Sequence, residues 1–198
     1  MLLAKKICRY LIARAIRLVQ IFRIVFYRLL SSNIFLGKPK LWQPLHCMGL
    51  GKVLFADDVN IGVFPSPFYF STYAYLEARK SSARISIGEG TWINNNFCAI
   101  AEHSFIEIGA QCLIGLNVEI YDSNFHGISK TQRNISLFEW SSPVKIGNNV
   151  FIGSNVKILK GVNIGDGSVI ACSSIVIKDI PAGVIAAGNP AQVVKKIE

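Results

Sequence analysis

One period governs the second half of the chain. Starting at Ile146 an aliphatic residue returns at every sixth position, giving Ile146, Ile152, Ile158, Ile164, Ile170 and Val176. Two positions before each stand Val144, Val150, Val156, Val162, Ser168 and Ser174, and directly after come Gly147, Gly153, Leu159, Gly165, Ala171 and Ile177. The spacing fits neither the alternation of an ordinary strand nor the pitch of a helix. A short flat strand with one buried aliphatic residue, followed by a turn, does fit it, and three such units close one triangular coil of a parallel β-helix. The register recurs upstream at Ile108, Ile114 and Ile120 and at Ile87 and Ile93. It slips between Ala99 and Ile108, where a small insertion is expected, and echoes at Phe55, Val59 and Ile61 before Pro65 and Pro67 interrupt it.

The other constraint is charge. Ten of the 21 Lys and Arg residues precede the first acid, Asp57, so the formal charge of +9 belongs to an N-terminal arm and the remainder is nearly neutral. A nucleic-acid partner is therefore not implied. Residues 3–30 lack Pro and Gly and read as one helix. On a helical projection Ile7, Leu11, Ile12, Ala15, Leu18, Val19, Phe22, Val25, Phe26 and Leu29 share an arc, and the basic residues take the remainder together with the intruding Ile16, Ile21 and Ile24. Arginines interrupt the apolar sequence too often for a membrane span or a signal peptide. Two readings compete: the arc packs on the body or a neighbouring subunit, or the helix lies on an anionic leaflet, which its acid-free polar face favours. Residues 31–51, punctuated by Gly37, Pro39, Pro44 and Gly49, read as a connector. Cys8, Cys47, Cys98, Cys112 and Cys172 form no C-x-x-C pair, which argues against a disulfide framework and a structural zinc site and makes the cytoplasm the expected compartment.

The repeat breaks where the next core position would be residue 126, which is His126. A polar excursion follows and rejoins the register at Val144. Long loops in compact solenoids carry function more often than not. Of the three histidines, His46 falls in the connector and His103 at the register slip, so His126 is the catalytic candidate.

From about Ile85 to Ile197 the chain resembles the hexapeptide-repeat acyltransferases with a left-handed β-helix, and most of all the maltose, galactoside and capsular-polysaccharide O-acetyltransferases. The residues that carry the likeness are NFHGIS around His126, INNNF around Asn95, and the block from Val144 to Ile197. The resemblance implies an all-β, left-handed parallel β-helix with an N-terminal α-helical arm. The expected division is a basic amphipathic arm and connector over 1–52 and the acyltransferase domain over 53–198, with a protruding loop at 127–142. It further implies an acetyl-CoA-dependent O-acetyltransferase acting on a sugar or glycan, with His126 as the general base that a poorly nucleophilic hydroxyl requires.

Asn94 matches the family's substrate-binding Asn, and Trp92, Asn96 and Trp140 are the further acceptor-binding candidates; Asn96 has the alternative of a left-handed corner residue. Asp122 is placed to orient the imidazole or to hold an acceptor hydroxyl, with a turn-forming Asp as the alternative. Phe151, Gly153, Ser154 and Cys172 match positions along the pantetheine arm, where a backbone N–H would stabilise the oxyanion. Lys178 and Lys195 match phosphate-binding positions. Gln192 stands where the family carries a cation, and Lys196 is a candidate replacement. The family implies a homotrimer with acetyl-CoA in the groove between neighbours, no metal, and a cytoplasmic location that includes the inner face of the membrane if the arm binds it. The alternatives are N-acetylation of an amino sugar nucleotide, where an acidic neighbour such as Asp122 would matter more, and a non-catalytic β-helix scaffold. A zinc hydratase on the same coil would need three converging histidines, which the separations of His46, His103 and His126 do not provide.

Overall fold

The computed structural model describes residues 2–197; Met1 of the arm and Glu198 of the expected domain lie outside it. Helix α1 (Leu2–Leu30) comes first. Coil 1 comprises β1 (Lys40–Leu41), β2 (Leu45–Met48) and β3 (Lys52–Phe55). Coil 2 comprises β4 (Asn60–Ile61), β5 (Ala74–Ala78) and β6 (Arg84–Ile87), and coil 3 β7 (Trp92–Ile93), β8 (Cys98–Ala101) and β9 (Phe105–Ile108). Coil 4 holds β10 (Leu113–Ile114), β11 (Glu119–Tyr121) and β12 (Val144–Ile146), and coil 5 β13 (Phe151–Ile152), β14 (Lys157–Ile158) and β15 (Asn163–Ile164). The stack ends with β16 (Val169–Ile170), β17 (Ile175–Val176), β18 (Val184–Gly188) and β19 (Ala191–Lys196).

Corresponding strands of successive coils pair in parallel and form three faces of a left-handed prism. The first face runs β1-β4-β7-β10-β13-β16-β18-β19, the second β2-β5-β8-β11-β14-β17 and the third β3-β6-β9-β12-β15. Among the strands described, β18 and β19 alone pair antiparallel, folding the chain back on the last coil. The hexad residues stack inward, so that Ile61, Ile93, Ile114, Ile152 and Ile170 form one buried column. Each such side chain contributes about 1.5 to 3 kcal/mol on leaving water, and the column fixes the register of every turn. Corner geometry selects residues too: Asn96, Asn117, Asn155 and Ser173 all take positive φ, near 60°, at one edge of the prism.

One sequence expectation changes and one open choice narrows. Residues 31–51 are not a free connector, because β1 and β2 pair with β4 and β5 and make the first coil complete. The β-helix therefore begins near Lys40 and not at residue 53. Second, the choice left open for α1 narrows, because the arc from Leu11 to Leu29 does not pack on the body of its own chain. Gln20 is buried and donates to the Tyr69 carbonyl (2.7 Å), Arg23 donates to the carbonyls of Tyr69 (3.1 Å) and Thr72 (2.7 Å), and Tyr27 packs on Tyr73. These pins lie on the side that carries Ile16 and Ile24, so the isoleucines that spoil the amphipathic separation face the body or its flank. Leu18, Phe22, Val25 and Leu29 point the other way and are 51 to 80% exposed. No helix among the described residues is long and apolar enough to cross a membrane.

Candidate active site

The chain leaves the second face after β11 and returns to the third at β12, and the excursion between them is closed at its neck. Ser123 bridges Ser141, and the Ser142 N–H donates to the Asp122 carbonyl at 2.7 Å. Phe125 takes a left-handed φ of 59°, packs edge-on against Tyr121 and lies under the Arg79 guanidinium. The next residue, His126, is thereby turned outward and is exposed. Its Nδ1 lies 2.7 Å from the Arg133 carbonyl oxygen. A carbonyl only accepts, so Nδ1 carries a proton, and in the neutral imidazole the lone pair is then on Nε2. Gly127 has no room for a Cβ, which would stand 2.5 Å from Gln132 and 2.8 Å from the Trp140 ring. Trp140 thus sits beside the histidine, and its carbonyl accepts from Lys160 Nζ at 2.7 Å.

A cleft of about 240 Å³ opens at a different corner, between the first and second faces. Trp92, Leu113 and Phe151 are consecutive rungs of one outward ladder and form its floor with Asn94, Gly115 and Val63. The Asn94 side-chain carbonyl accepts from Ser66 Oγ (3.0 Å) and from the Asn95 N–H (2.7 Å), which leaves Nδ2 as its available donor. Gly153 and Ser154 continue this corner upward to Cys172, which is exposed. The coils approach closely there: a Cβ on Gly153 would stand 2.6 Å from the Cys172 nitrogen and 2.9 Å from its Sγ.

The expected site residues therefore sort onto two corners. Trp92, Asn94, Phe151, Gly153, Ser154 and Cys172 follow the corner between the first and second faces. His126 and Trp140 stand on the loop that leaves the second face after β11, and Lys178 follows the last strand of that face, β17. His126 is not among the residues lining the cleft that holds Asn94. Lys195, Lys196 and Gln192 are exposed on β19. Two residues take structural positions. Asp122 is fully buried, and its oxygens accept from the Glu102 N–H (2.7 Å) and the Ser104 N–H (2.8 Å), so it clasps coil 3 to coil 4 and the imidazole is oriented by Arg133 instead. Burial raises its pKa, with the backbone donors opposing. Asn96 donates to Asn117 (2.7 Å), and Asn117 to Asn155 (2.9 Å), in a ladder of left-handed corner residues.

Residues 143–178 match the family described as bacterial transferase hexapeptide (six repeats). Galactoside O-acetyltransferase of Escherichia coli (strain K12) is 38% identical over 131 residues, 66% of this chain and 59% of that protein. The solved structure of the polySia specific acetyltransferase NeuO is 30% identical with a TM-score of 0.57, covering 80% of this chain and 71% of that one. The chain belongs to the hexapeptide-repeat acyltransferases. A further structure of the family, the hexapeptide-repeat-containing acetyltransferase VCA0836 of Vibrio cholerae O1 biovar eltor complexed with acetyl coenzyme A, is 27% identical with a TM-score of 0.51 and covers 74% of this chain and 71% of that one. The chain spans 54 to 59% of the length of curated relatives that it matches.

In this hexapeptide-repeat acyltransferase two buried residues of coil 3, absent from the sequence expectations, hold the excursions in place. The Glu102 side chain is 3% exposed and accepts from Ser123 Oγ (2.9 Å), Ser136 Oγ (2.7 Å) and Arg79 (3.3 Å). Burial alone would raise its carboxyl, but Ser136, Ser123 and Arg79 outweigh it and hold the pKa low. Asn95 is fully buried and bonds the Val63 N–H and the carbonyls of Val63 and Pro67, which pins the segment between β4 and β5. An acid and an amide beside register breaks were the only signals in sequence, and many surface turns carry the same pair.

Proposed function

We propose that this chain transfers the acetyl group of acetyl-CoA to a hydroxyl of a sugar or glycan, with His126 as general base. The observation that carries the reading is the 2.7 Å contact between His126 Nδ1 and the Arg133 carbonyl on an exposed side chain, which makes Nε2 the basic nitrogen of the neutral ring. In the reaction Nε2 takes the hydroxyl proton as the oxygen attacks the thioester carbonyl. The tetrahedral intermediate then collapses, the C–S bond breaks, and the imidazolium returns the proton to the departing thiolate. Asn94 Nδ2 offers a donor to the acceptor, and the rings of Trp92 and Trp140 offer faces for it. Phe151, Gly153, Ser154 and Cys172 would line the pantetheine arm, and Lys178 and Lys195 would meet the phosphates.

The names of relatives that act on galactosides and polysialic acid support a glycan acceptor. O-transfer is preferred to N-transfer because the acid nearest the histidine in sequence, Asp122, is committed to backbone donors. The division of the site between two corners supports a homotrimer in which the histidine loop of one copy faces the Asn94 cleft of the next. The outward arc of α1, with no acid before Asp57, supports peripheral contact of residues 3–30 with an anionic inner leaflet. A screen for acetyl-CoA consumption against sugars, nucleotide sugars and oligosaccharides tests the reaction. His126→Ala should lower kcat about 100-fold or more with any accepted sugar; an unchanged rate would refute His126 as the base, and no consumption with any sugar would leave the scaffold reading.

A further inference from the structure

A second cavity lies outside the Asn94 cleft. It is a groove of about 600 Å³ between α1 and the first face of the β-helix, within the range of about 300 to 1,000 Å³ that small-molecule sites occupy. Ile16, Ile21 and Ile24 form the helix wall, and Leu41, Trp42 and Phe64 the opposite one. Its charged lining residues are both cations, Arg17 and Lys40, of which Lys40 is paired with Asp58 at 2.7 Å. The groove does not stand apart from the proposed acceptor site, because Val63 and Trp92 line both it and the cleft that holds Asn94.

We propose that this groove binds an apolar chain attached through phosphate to the glycan acceptor, so that the sugar reaches the Asn94 cleft while its lipid tail lies under α1. The proposal rests on the acetyl-transfer reading for the identity of the headgroup, and three features assign the occupant. The walls are aliphatic and aromatic, which suits a hydrocarbon and not a second sugar. Arg17 suits an acidic linkage between chain and glycan, and the residues lining the groove include no acid to repel one. The shared Trp92 and Val63 give one molecule a continuous path from tail to headgroup.

Trp42 and Trp92 are two of the three tryptophans in the chain, so occupancy has an intrinsic readout. The probe is decyl phosphate carrying bromine on its terminal carbon, added to the full chain below its micelle concentration, with tryptophan quenching followed. Saturable quenching is expected, greatly reduced in Trp42→Phe, and neither inorganic phosphate nor methyl phosphate should compete. Ala13 and Ile21 are exposed lining residues, so Ala13→Phe and Ile21→Gln alter the groove without touching the core. Each should weaken binding about tenfold, the contact of about two methylenes, and Arg17→Gln should narrow the preference for decyl phosphate over decanol. Non-saturable quenching, or affinities unchanged in both Ala13→Phe and Ile21→Gln, overturns the proposal. So does a fall in oligomer mass by light scattering in those variants, since the groove would then be an interface between copies. The binding measurement needs no turnover: saturable quenching without acetylation of any sugar would uphold the groove and refute the acetyl-transfer reading.

Discussion

Replacing Glu102 by Gln keeps the shape of the side chain and removes the charge that holds the histidine loop. Three bonds are affected, from Ser123 (2.9 Å), Ser136 (2.7 Å) and Arg79 (3.3 Å). Gln can re-form all three, with its carbonyl to Arg79 and its amide donating to the hydroxyls, so each falls from the charge-assisted to the neutral range. That difference is about 1 kcal/mol per bond. Arg79 keeps its second partner, Glu77, at 2.9 Å, so a total of about 2 to 3 kcal/mol is expected, somewhat less than three full bonds. The loss is local, since the ladders of the coils do not pass through Glu102's side chain. Hydrogen exchange of the backbone amides in 123–136 should therefore accelerate about 30- to 100-fold while the coil amides are unchanged. The wild-type carboxyl is held below its ordinary value of 4.5. Its contribution is therefore present above that pH and lost as pH falls through the lower folded-state value. Exchange in the wild-type loop should rise on acidification below the usual glutamate range, and in Glu102→Gln it should lack that step. Equal exchange in the two proteins at neutral pH would refute the assignment of Glu102 as the anchor of the loop.

Gly153→Ala should destabilise the last coils by about 1 to 3 kcal/mol, as expected for overpacking, because its Cβ would stand 2.6 Å from the Cys172 backbone; thermal unfolding checks this. Thiol labelling of the native chain should modify the exposed Cys8 and Cys172 and spare Cys47, whose thiol burial pushes up to about 12, and Cys98, pushed up to about 11 by burial and then by Glu119. Acetyl-CoA should protect Cys172 and not Cys8. Binding to vesicles containing anionic lipid should fall with salt and disappear on deletion of residues 1–30. Retention of binding after the deletion would exclude the outward arc as the contact.

The core was legible in sequence because a buried residue at every sixth position admits few folds, and each of Ile146, Ile152, Ile158, Ile164, Ile170 and Val176 is at most 2% exposed. Coil 1 was not legible, because β1 has two residues and Pro44 and Gly49 obscure the repeat; its strands exist through pairing with β4 and β5. The side of α1 that faces the body was not legible for a similar reason. Hydrophobic patterning leaves open whether the arc meets the body, a neighbouring subunit or a leaflet, whereas Gln20 and Arg23 find carbonyls on the segment between β4 and β5, and those bonds set the inward side. The outward position of His126 was readable as a break in the register. Its tautomer was not, since it depends on a carbonyl seven residues away, and neither was the commitment of Asp122 to the amides of another coil.

Coil 3 also sets how such a protein can change. Both long excursions, the segment between β4 and β5 and the one between β11 and β12, emerge from coils next to it and are tied back by one of its buried side chains, Asn95 and Glu102. A coil in a solenoid contacts only its neighbours. Either excursion can therefore be lengthened, shortened or rewritten in a descendant so long as it still meets its anchor, without any change to the isoleucine columns. The shape of the two excursions and the folding of the core are thereby placed under separate selection.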